Sequence, residues 1–144
     1  MTPVKYADIH IGIDVARYGD DETIMYARVG GGVTDGIDEY IDIHNMLKFE
    51  VHGINNGSRA DDSDIYDKLG DQLWGYLRDL LDTNFRRRML GEKPTIELLE
   101  DDKLVSQLKT RKYRVLSKGV IKVEHKDKMK KRGLASPDRA DALA

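Results

Sequence analysis

The stretch Ile9-His10-Ile11-Gly12-Ile13-Asp14-Val15 alternates apolar residues with small or polar ones, which is the pattern of a β-strand. Its aspartate, Asp14, falls near the carboxyl end of the predicted strand. That edge of the sheet is where α/β proteins commonly bind their ligands. The stretch therefore predicts both the first strand of the fold and the first candidate site residue.

The residues that follow predict a hairpin and then a change of structure. Turn residues at 18–21 precede a β-branched and aromatic return strand over residues 23–29. A run of three glycines at 30–32 then breaks the pattern. After it, Val33, Ile37, Tyr40 and Ile41 recur at helical spacing, with Thr34 and Asp35 suited to a helix start. A short strand is predicted over Leu47–Val51, before a polar loop that reaches Asp64.

The second half of the chain predicts further helices and strands in alternation. Its strongest helix has an apolar stripe and covers Ile65–Leu81. The remaining predicted elements are a strand entry at Pro94–Leu98, a helix over Asp101–Leu108, a hairpin of Tyr113–Leu116 and Val120–Val123, a basic helix over Lys126–Arg132, and a last helix with Ser136 as N-cap and Pro137 in its first turn. We expect one α/β domain over residues 1–144, with a mixed sheet flanked by helices.

The composition excludes several classes of protein. The chain has 144 residues, no cysteine, and 4 histidines without metal-ligand spacing, so neither a disulfide framework nor a zinc site is expected. No apolar run approaches the roughly 20 residues of a membrane span. The first residues lack a signal-peptide pattern, and we therefore expect an intracellular protein.

The net charge of −2 hides a strong asymmetry between segments. Residues 103–132 contain 12 lysines and arginines against 2 acidic residues, so the remainder of the chain carries −12. The segment could be a solvated face. However, it lies just before two further candidate acids, Asp138 and Asp141, and this position favours sequence-independent contact with DNA phosphates. The predicted DNA-binding residues are Lys118, Lys122, Lys126, Lys128, Lys130, Lys131 and Arg132.

Two further acids begin the last predicted helix. Asp138 and Asp141 are three residues apart and therefore share one face of that helix. Taken singly, Asp14 could cap a turn and Asp138 could cap a helix. Brought together, these carboxylates would suit hard cations such as Mg²⁺ or Mn²⁺, and two such ions can support phosphodiester cleavage.

Three segments resemble one known family. The sequence IGIDVARYGDDET, from Ile11 to Thr23, resembles the opening strand and hairpin of the nuclease domain of phage large terminase subunits. The sequence KDKMKKRGLASPDRADAL, from Lys126 to Leu143, resembles the closing motif of that family. Tyr66–Leu81 resembles the tryptophan-containing helix of the family.

The resemblance implies a ribonuclease H-like fold and a set of functional residues. It makes Asp14 the first metal ligand and Asp141 the last, and Asp138 takes the position of another acid or histidine near the metals. It also implies cleavage of double-stranded DNA during viral genome packaging in the host cytoplasm, with a two-metal Mg²⁺ or Mn²⁺ site. The implied partners are an ATPase domain, the small terminase subunit and the portal. This chain contains no P-loop sequence, and we expect it to be a monomer when isolated.

One departure from the family leaves alternatives open. In the family, a second acid-bearing strand precedes a glycine-rich turn; here Val29–Asp35 looks like that turn but follows the first hairpin directly. The position of the second acid offers Met25 or Tyr26, and the conceivable substitutes are Asp20, Asp21, Asp35 and Glu39. We therefore carry three hypotheses: a metal-dependent endonuclease, a catalytically impaired remnant that binds DNA or the packaging motor, and an actin-like ATPase domain.

Overall fold

The fold was obtained as a computed structural model, which describes residues 9–15, 23–29, 32–34, 52–98 and 100–144. The first three strands are β1 (Ile9–Asp14), β2 (Ile24–Val29) and β3 (Gly32–Thr34). They form an antiparallel sheet in the order β1-β2-β3, and Asp14 at the end of β1 lies opposite Ile24 of β2. The first predicted strand and its return strand are therefore confirmed.

The remaining elements follow in the second half of the chain. They are α1 (Leu69–Met89), α2 (Asp102–Thr110), β4 (Tyr113–Val115), β5 (Ile121–Val123), α3 (Lys126–Lys131) and α4 (Asp138–Leu143). Strands β4 and β5 form the predicted hairpin as a second antiparallel sheet. Helix α3 is followed by Gly133 at φ 76°, a left-handed conformation that glycine adopts at low cost. The predicted α/β class is confirmed, and the named strands of the described residues pair antiparallel in two small sheets.

Helix α1 starts later and ends later than the sequence pattern predicts. Residues 61–65 form a turn, and Tyr66 then makes an isolated bridge to Ile121. In this bridge Ile121 N donates to Ile65 O at 2.7 Å and Asp67 N donates to Ile121 O at 3.1 Å. The helix begins after Lys68, whose backbone N–H donates to Asp71 Oδ2 at 2.9 Å. A contact with a strand far along the chain thus overrides the local helical periodicity at Ile65.

Other predicted elements differ or lie outside the described residues. Gly32–Thr34 is a strand paired with β2, so no helix begins at Val33 or Thr34. Residues 94–98 are irregular apart from a single bridge at Glu97, and the Asn84 side chain binds the backbone of Thr95 and Ile96 instead. The predicted turn at 18–21, the helical residues 37–41 and the strand over 47–51 lie outside the described residues.

The core joins the two ends of the chain. It contains Tyr26 of β2 together with Leu104 of α2 and Ala140 and Ala142 of α4, and Ile96 completes it. Helix α4 packs on β1 and β2. None of the helices in the described part of the chain combines the length and apolarity that crossing a membrane would require. The packing of α4 on β1 determines where the candidate acids meet.

Gly12 allows this close approach. A Cβ atom at position 12 would lie 2.2 Å from the carbonyl oxygen of Ala142, which is a backbone atom. Because overpacking of this kind forces backbone shifts, we expect Gly12→Ala to lower the free energy of unfolding by about 2 kcal/mol, measured by urea denaturation. Gly53→Ala is the control, since no atom lies within 4 Å of a Cβ there. Equal stability of the two variants would show that α4 does not pack on β1 as described.

Candidate active site

Three aspartates from opposite ends of the chain surround one ammonium group. Lys126 Nζ lies 3.0 Å from Asp14 Oδ2, 2.9 Å from Asp141 Oδ2 and 3.3 Å from Asp138 Oδ1. Asp14 comes from the end of β1, whereas Asp138 and Asp141 come from the first turn of α4. The structure therefore brings together the three carboxylates that the sequence singled out.

Burial and mutual repulsion act on these charges. Burial raises the pKa of Asp14, and the nearby carboxylates of Asp141 and Asp138 raise it further, although the hydrogen bond and charge of Lys126 oppose the shift. Burial alone would lower the pKa of Lys126. The charge of Asp141 and the hydrogen bonds to Asp141 and Asp14 outweigh it, so this pKa lies above its ordinary value. Lys126 therefore stays cationic, and the cluster is built to hold positive charge.

Asp141 is held from the other side by two nitrogen donors. Trp74 Nε1 donates to Asp141 Oδ1 at 2.7 Å, and Arg111 Nη1 donates to the same oxygen at 2.6 Å. The Arg111 guanidinium stacks over the Trp74 ring at 4.4 Å, and its Nε donates to the carbonyl of Glu124 at 2.9 Å. The sequence assigned neither residue to the site: Trp74 was marked only by the resemblance of its helix to that of the family, and nothing in the local pattern marks Arg111.

Asp138 is fixed by its own turn and by a buried glutamine. Ser136 donates its hydroxyl hydrogen to Asp138 Oδ1, so it does not cap α4 as predicted, and Pro137 precedes the helix instead. Gln107 Nε2 donates to the Ser136 carbonyl at 3.1 Å, and Ala140 N donates to Gln107 Oε1 at 3.0 Å. This arrangement fastens the start of α4 to helix α2.

The donor set suits a divalent cation in its chemistry. Carboxylate oxygens are the ligands that Mg²⁺ and Mn²⁺ prefer, and three of them share one cation here. The three carboxylates are placed around the ammonium group of Lys126. Within the described ranges, no three acidic or imidazole side chains are arranged to hold a metal ion. The donor atoms are therefore of the type that binds Mg²⁺ or Mn²⁺, and binding of such an ion would require the Lys126 ammonium to leave the cluster.

No second acid stands beside Asp14 on the neighbouring strand. Ile24 is its partner in the register of β2, and Met25 and Tyr26 follow. Tyr26 is buried, and its hydroxyl donates to Asp101 Oδ2 at 3.5 Å. The four conceivable substitutes for this second acid all lie outside the described residues; they are Asp20, Asp21, Asp35 and Glu39.

The predicted DNA-binding residues occupy different surroundings. Lys126 lies among the aspartates, and Arg132 pairs with Glu124 at 2.6 Å. Lys118 and Lys122 of the hairpin both pair with Asp67, at 2.9 and 2.8 Å. The exposed basic residues of α3 are Lys128, Lys130 and Lys131.

The Asp67 ion pairs predict a pH dependence of stability. Hydrogen bonds from Lys122 and then Lys118 lower the pKa of Asp67 to about 2. Because the unfolded-state pKa is about 3.9, this contribution is present above about pH 4 and is lost as the pH falls towards 2. We expect urea unfolding to show a smaller drop in stability between pH 4 and pH 2.5 for Asp67→Asn than for the wild type. An identical drop in both proteins would contradict the paired geometry.

Three solved structures that are similar to this chain come from the large terminase subunit of one bacterial virus. The nuclease domain of the large terminase subunit of bacterial virus Sf6 superposes with a TM-score of 0.70 at 17% identity, covering 94% of this chain and 85% of that one. A lysine-to-alanine mutant of that domain with manganese and beta-thujaplicinol gives 0.68 at 18% identity, with coverages of 96% and 86%. The same kind of mutant with calcium gives 0.67 at 16% identity, with coverages of 96% and 87%.

These similarities establish the fold. No family model matches the sequence, and no curated protein matches it. The structural likeness extends over most of both chains, so the fold is that of a terminase nuclease domain, as the resemblance of the sequence motifs predicted.

Proposed function

We propose that this chain is a nuclease domain of the large terminase family, which cuts double-stranded DNA during viral genome packaging with Mg²⁺ or Mn²⁺. The observation that carries the proposal is the convergence of Asp14, Asp138 and Asp141 on one cation position, with oxygens 2.9–3.3 Å from Lys126 Nζ. The terminase nuclease fold supports this choice among the many functions that a ribonuclease H-like sheet can carry.

Each acid has its own role in this proposal. Asp14 and Asp141 hold the metal, and Asp138 assists from the same turn of α4. Two such ions, when bound, would supply the activation of a water molecule and the stabilisation of the leaving oxygen of a phosphodiester. Before that, Lys126 has to release the carboxylates, so its long side chain must swing towards solvent, to which 32% of it is already exposed.

DNA contact is assigned to the basic residues next to these acids. Lys128, Lys130 and Lys131 lie exposed on α3, directly after Lys126. Lys118, Lys122 and Arg132 would contact phosphates only in exchange for their present carboxylate partners. Such contacts give sequence-independent affinity that weakens with salt, which suits cutting with little specificity. The proposed partners are an ATPase domain, the small terminase subunit and the portal, in the host cytoplasm.

Plasmid cleavage tests this function directly. We expect the purified chain to convert supercoiled DNA into nicked and linear forms with Mn²⁺, and to do so more weakly or more slowly with Mg²⁺. Removing the metal with EDTA should stop the reaction, and excess Mn²⁺ should restore it. A reaction that proceeds equally well in EDTA would contradict metal dependence.

A second candidate function rests on the β2 register. Because Ile24 faces Asp14 and Lys126 fills the cluster, the chain could be an inactive remnant that binds DNA or the packaging motor. It would bind DNA with a steep salt dependence and show neither Mn²⁺-dependent cleavage nor Mn²⁺ binding. In that case the double variant Lys128→Gln and Lys131→Gln should have a shallower plot of the logarithm of the DNA-binding constant against the logarithm of salt concentration. If both lysines contact phosphates, the slope should decrease in magnitude by about 2.

A further inference from the structure

Resting on the metal site proposed above, we infer that Trp74 and Arg111 are positioning residues that fix Asp141 as a ligand offering a single oxygen. Both donate to Oδ1 of Asp141, at 2.7 and 2.6 Å, whereas Oδ2 points to the cation position at 2.9 Å from Lys126 Nζ. The two oxygens of this carboxylate therefore have separate tasks. Oδ1 anchors the side chain, and Oδ2 meets the cation.

The anchor is rigid because each of its members is held by another contact. The side chains of Arg111 and Asp141 are only 11% and 8% exposed. Arg111 binds the Glu124 carbonyl through Nε and stacks on Trp74 at 4.4 Å, so its guanidinium cannot turn away without losing both interactions. Trp74 comes from α1 and Arg111 from the residue after α2, which ties the orientation of Asp141 to two helices outside α4.

The arrangement has a chemical consequence for the site. A carboxylate with both oxygens free could chelate one ion or bridge two, but Asp141 can contribute only Oδ2 while its two donors remain in place. Outer-shell donors of this kind orient ligands, and their loss typically costs 10- to 100-fold in metal affinity. We therefore expect the Trp74 and Arg111 side chains to set the metal affinity without touching the metal.

Two substitutions that conserve charge isolate this role. Trp74→Phe removes the indole N–H and keeps an aromatic ring, and Arg111→Lys keeps the positive charge but loses the planar fork and the stacking. Neither substitution changes the net charge around Asp141, so a change in net charge cannot cause the expected effect. Arg86→Lys is the matched control, because Arg86 lies more than three turns after Trp74 on α1 and its side chain, 76% exposed, pairs with Asp82.

The readout is Mn²⁺ binding without DNA, measured by isothermal titration calorimetry on proteins whose folding is checked by circular dichroism. We expect each positioning variant to bind Mn²⁺ about 10- to 100-fold more weakly than the wild type, and Arg86→Lys to bind like the wild type. Affinities of both positioning variants within about fivefold of the wild type would overturn the inference. If the wild type itself binds no Mn²⁺, the proposed function fails, and this inference fails with it.

The single tryptophan gives a second readout of the same site. Trp74 is the only tryptophan of the chain, and its indole hydrogen-bonds directly to Asp141. Paramagnetic Mn²⁺ bound at Oδ2 should therefore quench its fluorescence with the same midpoint as the calorimetric curve. In Arg111→Lys the midpoint should move to higher Mn²⁺ concentration by the same factor. Calorimetric binding that leaves Trp74 fluorescence unchanged would place the metal elsewhere and would overturn the inference.

Discussion

Asp14→Ala and Asp141→Ala should each reduce Mn²⁺-dependent plasmid cleavage at least roughly 100-fold. These side chains supply oxygens to the cation position itself, and even outer-shell substitutions cost 10- to 100-fold. Gel quantification of supercoiled, nicked and linear plasmid over time measures the loss. Asp127→Ala is the control, since the side chain of this acid of α3 is 76% exposed and pairs with His125.

Folding should not account for the loss in Asp14→Ala. Because folding raises the pKa of Asp14, its ionised form works against folding at neutral pH, and this penalty is relieved only as the pH falls through the raised pKa. The variant should therefore have an unfolding free energy close to that of the wild type. Equal nicking by the wild type and both variants would show that these acids are not the site.

Lys126→Met should have the opposite effect on the metal. The ammonium group and a divalent ion compete for the same oxygens of Asp14, Asp138 and Asp141, so wild-type binding has to break those ion pairs. We expect removal of the ammonium to tighten Mn²⁺ binding about tenfold or more, which corresponds to about 1.4 kcal/mol. Calorimetric titration measures this change.

The same substitution should change stability in a way that depends on metal. Without Mn²⁺, three partly buried carboxylates lose their shared cation, and the melting temperature should fall. Saturating Mn²⁺ should restore it, because a ligand that binds only the folded state stabilises that state. Lys128→Met, on the exposed part of α3, should change neither property. Weaker Mn²⁺ binding by Lys126→Met would mean that Lys126 supports the metal and does not compete with it.

Local patterns predicted the elements whose residues are stabilised by their neighbours in sequence. The alternation in Ile9–Val15 predicted β1, which covers Ile9–Asp14, and the strands predicted over Tyr113–Leu116 and Val120–Val123 form the hairpin of β4 and β5. The beginning of α1 was wrong, because the backbone of Ile65 pairs with Ile121, a contact that no sequence window contains. Ser136 and Pro137 have the composition of a helix cap, yet the serine hydroxyl binds the Asp138 side chain.

The candidate site was predictable in its acids and not in their surroundings. Asp14, Asp138 and Asp141 could be selected because two motifs bracket the chain, and the structure brings all three together. Lys126 was grouped with the other basic residues of α3, because the sequence does not show which lysine side chain of this run points towards the aspartates. The roles of Trp74 and Arg111 could not be predicted, although the helix of Trp74 was recognised, because these roles depend on where three helices meet.

The most direct test of the proposed metal site is the position of Mn²⁺ in crystals of the wild-type chain, located by anomalous diffraction. Our account predicts a peak within coordination distance of the Asp14 carboxylate and Asp141 Oδ2. The Lys126 ammonium should be displaced from the cluster, and Trp74 and Arg111 should still bind Asp141 Oδ1. Lys126 remaining among the three aspartates at saturating Mn²⁺, with the metal bound elsewhere, would contradict it.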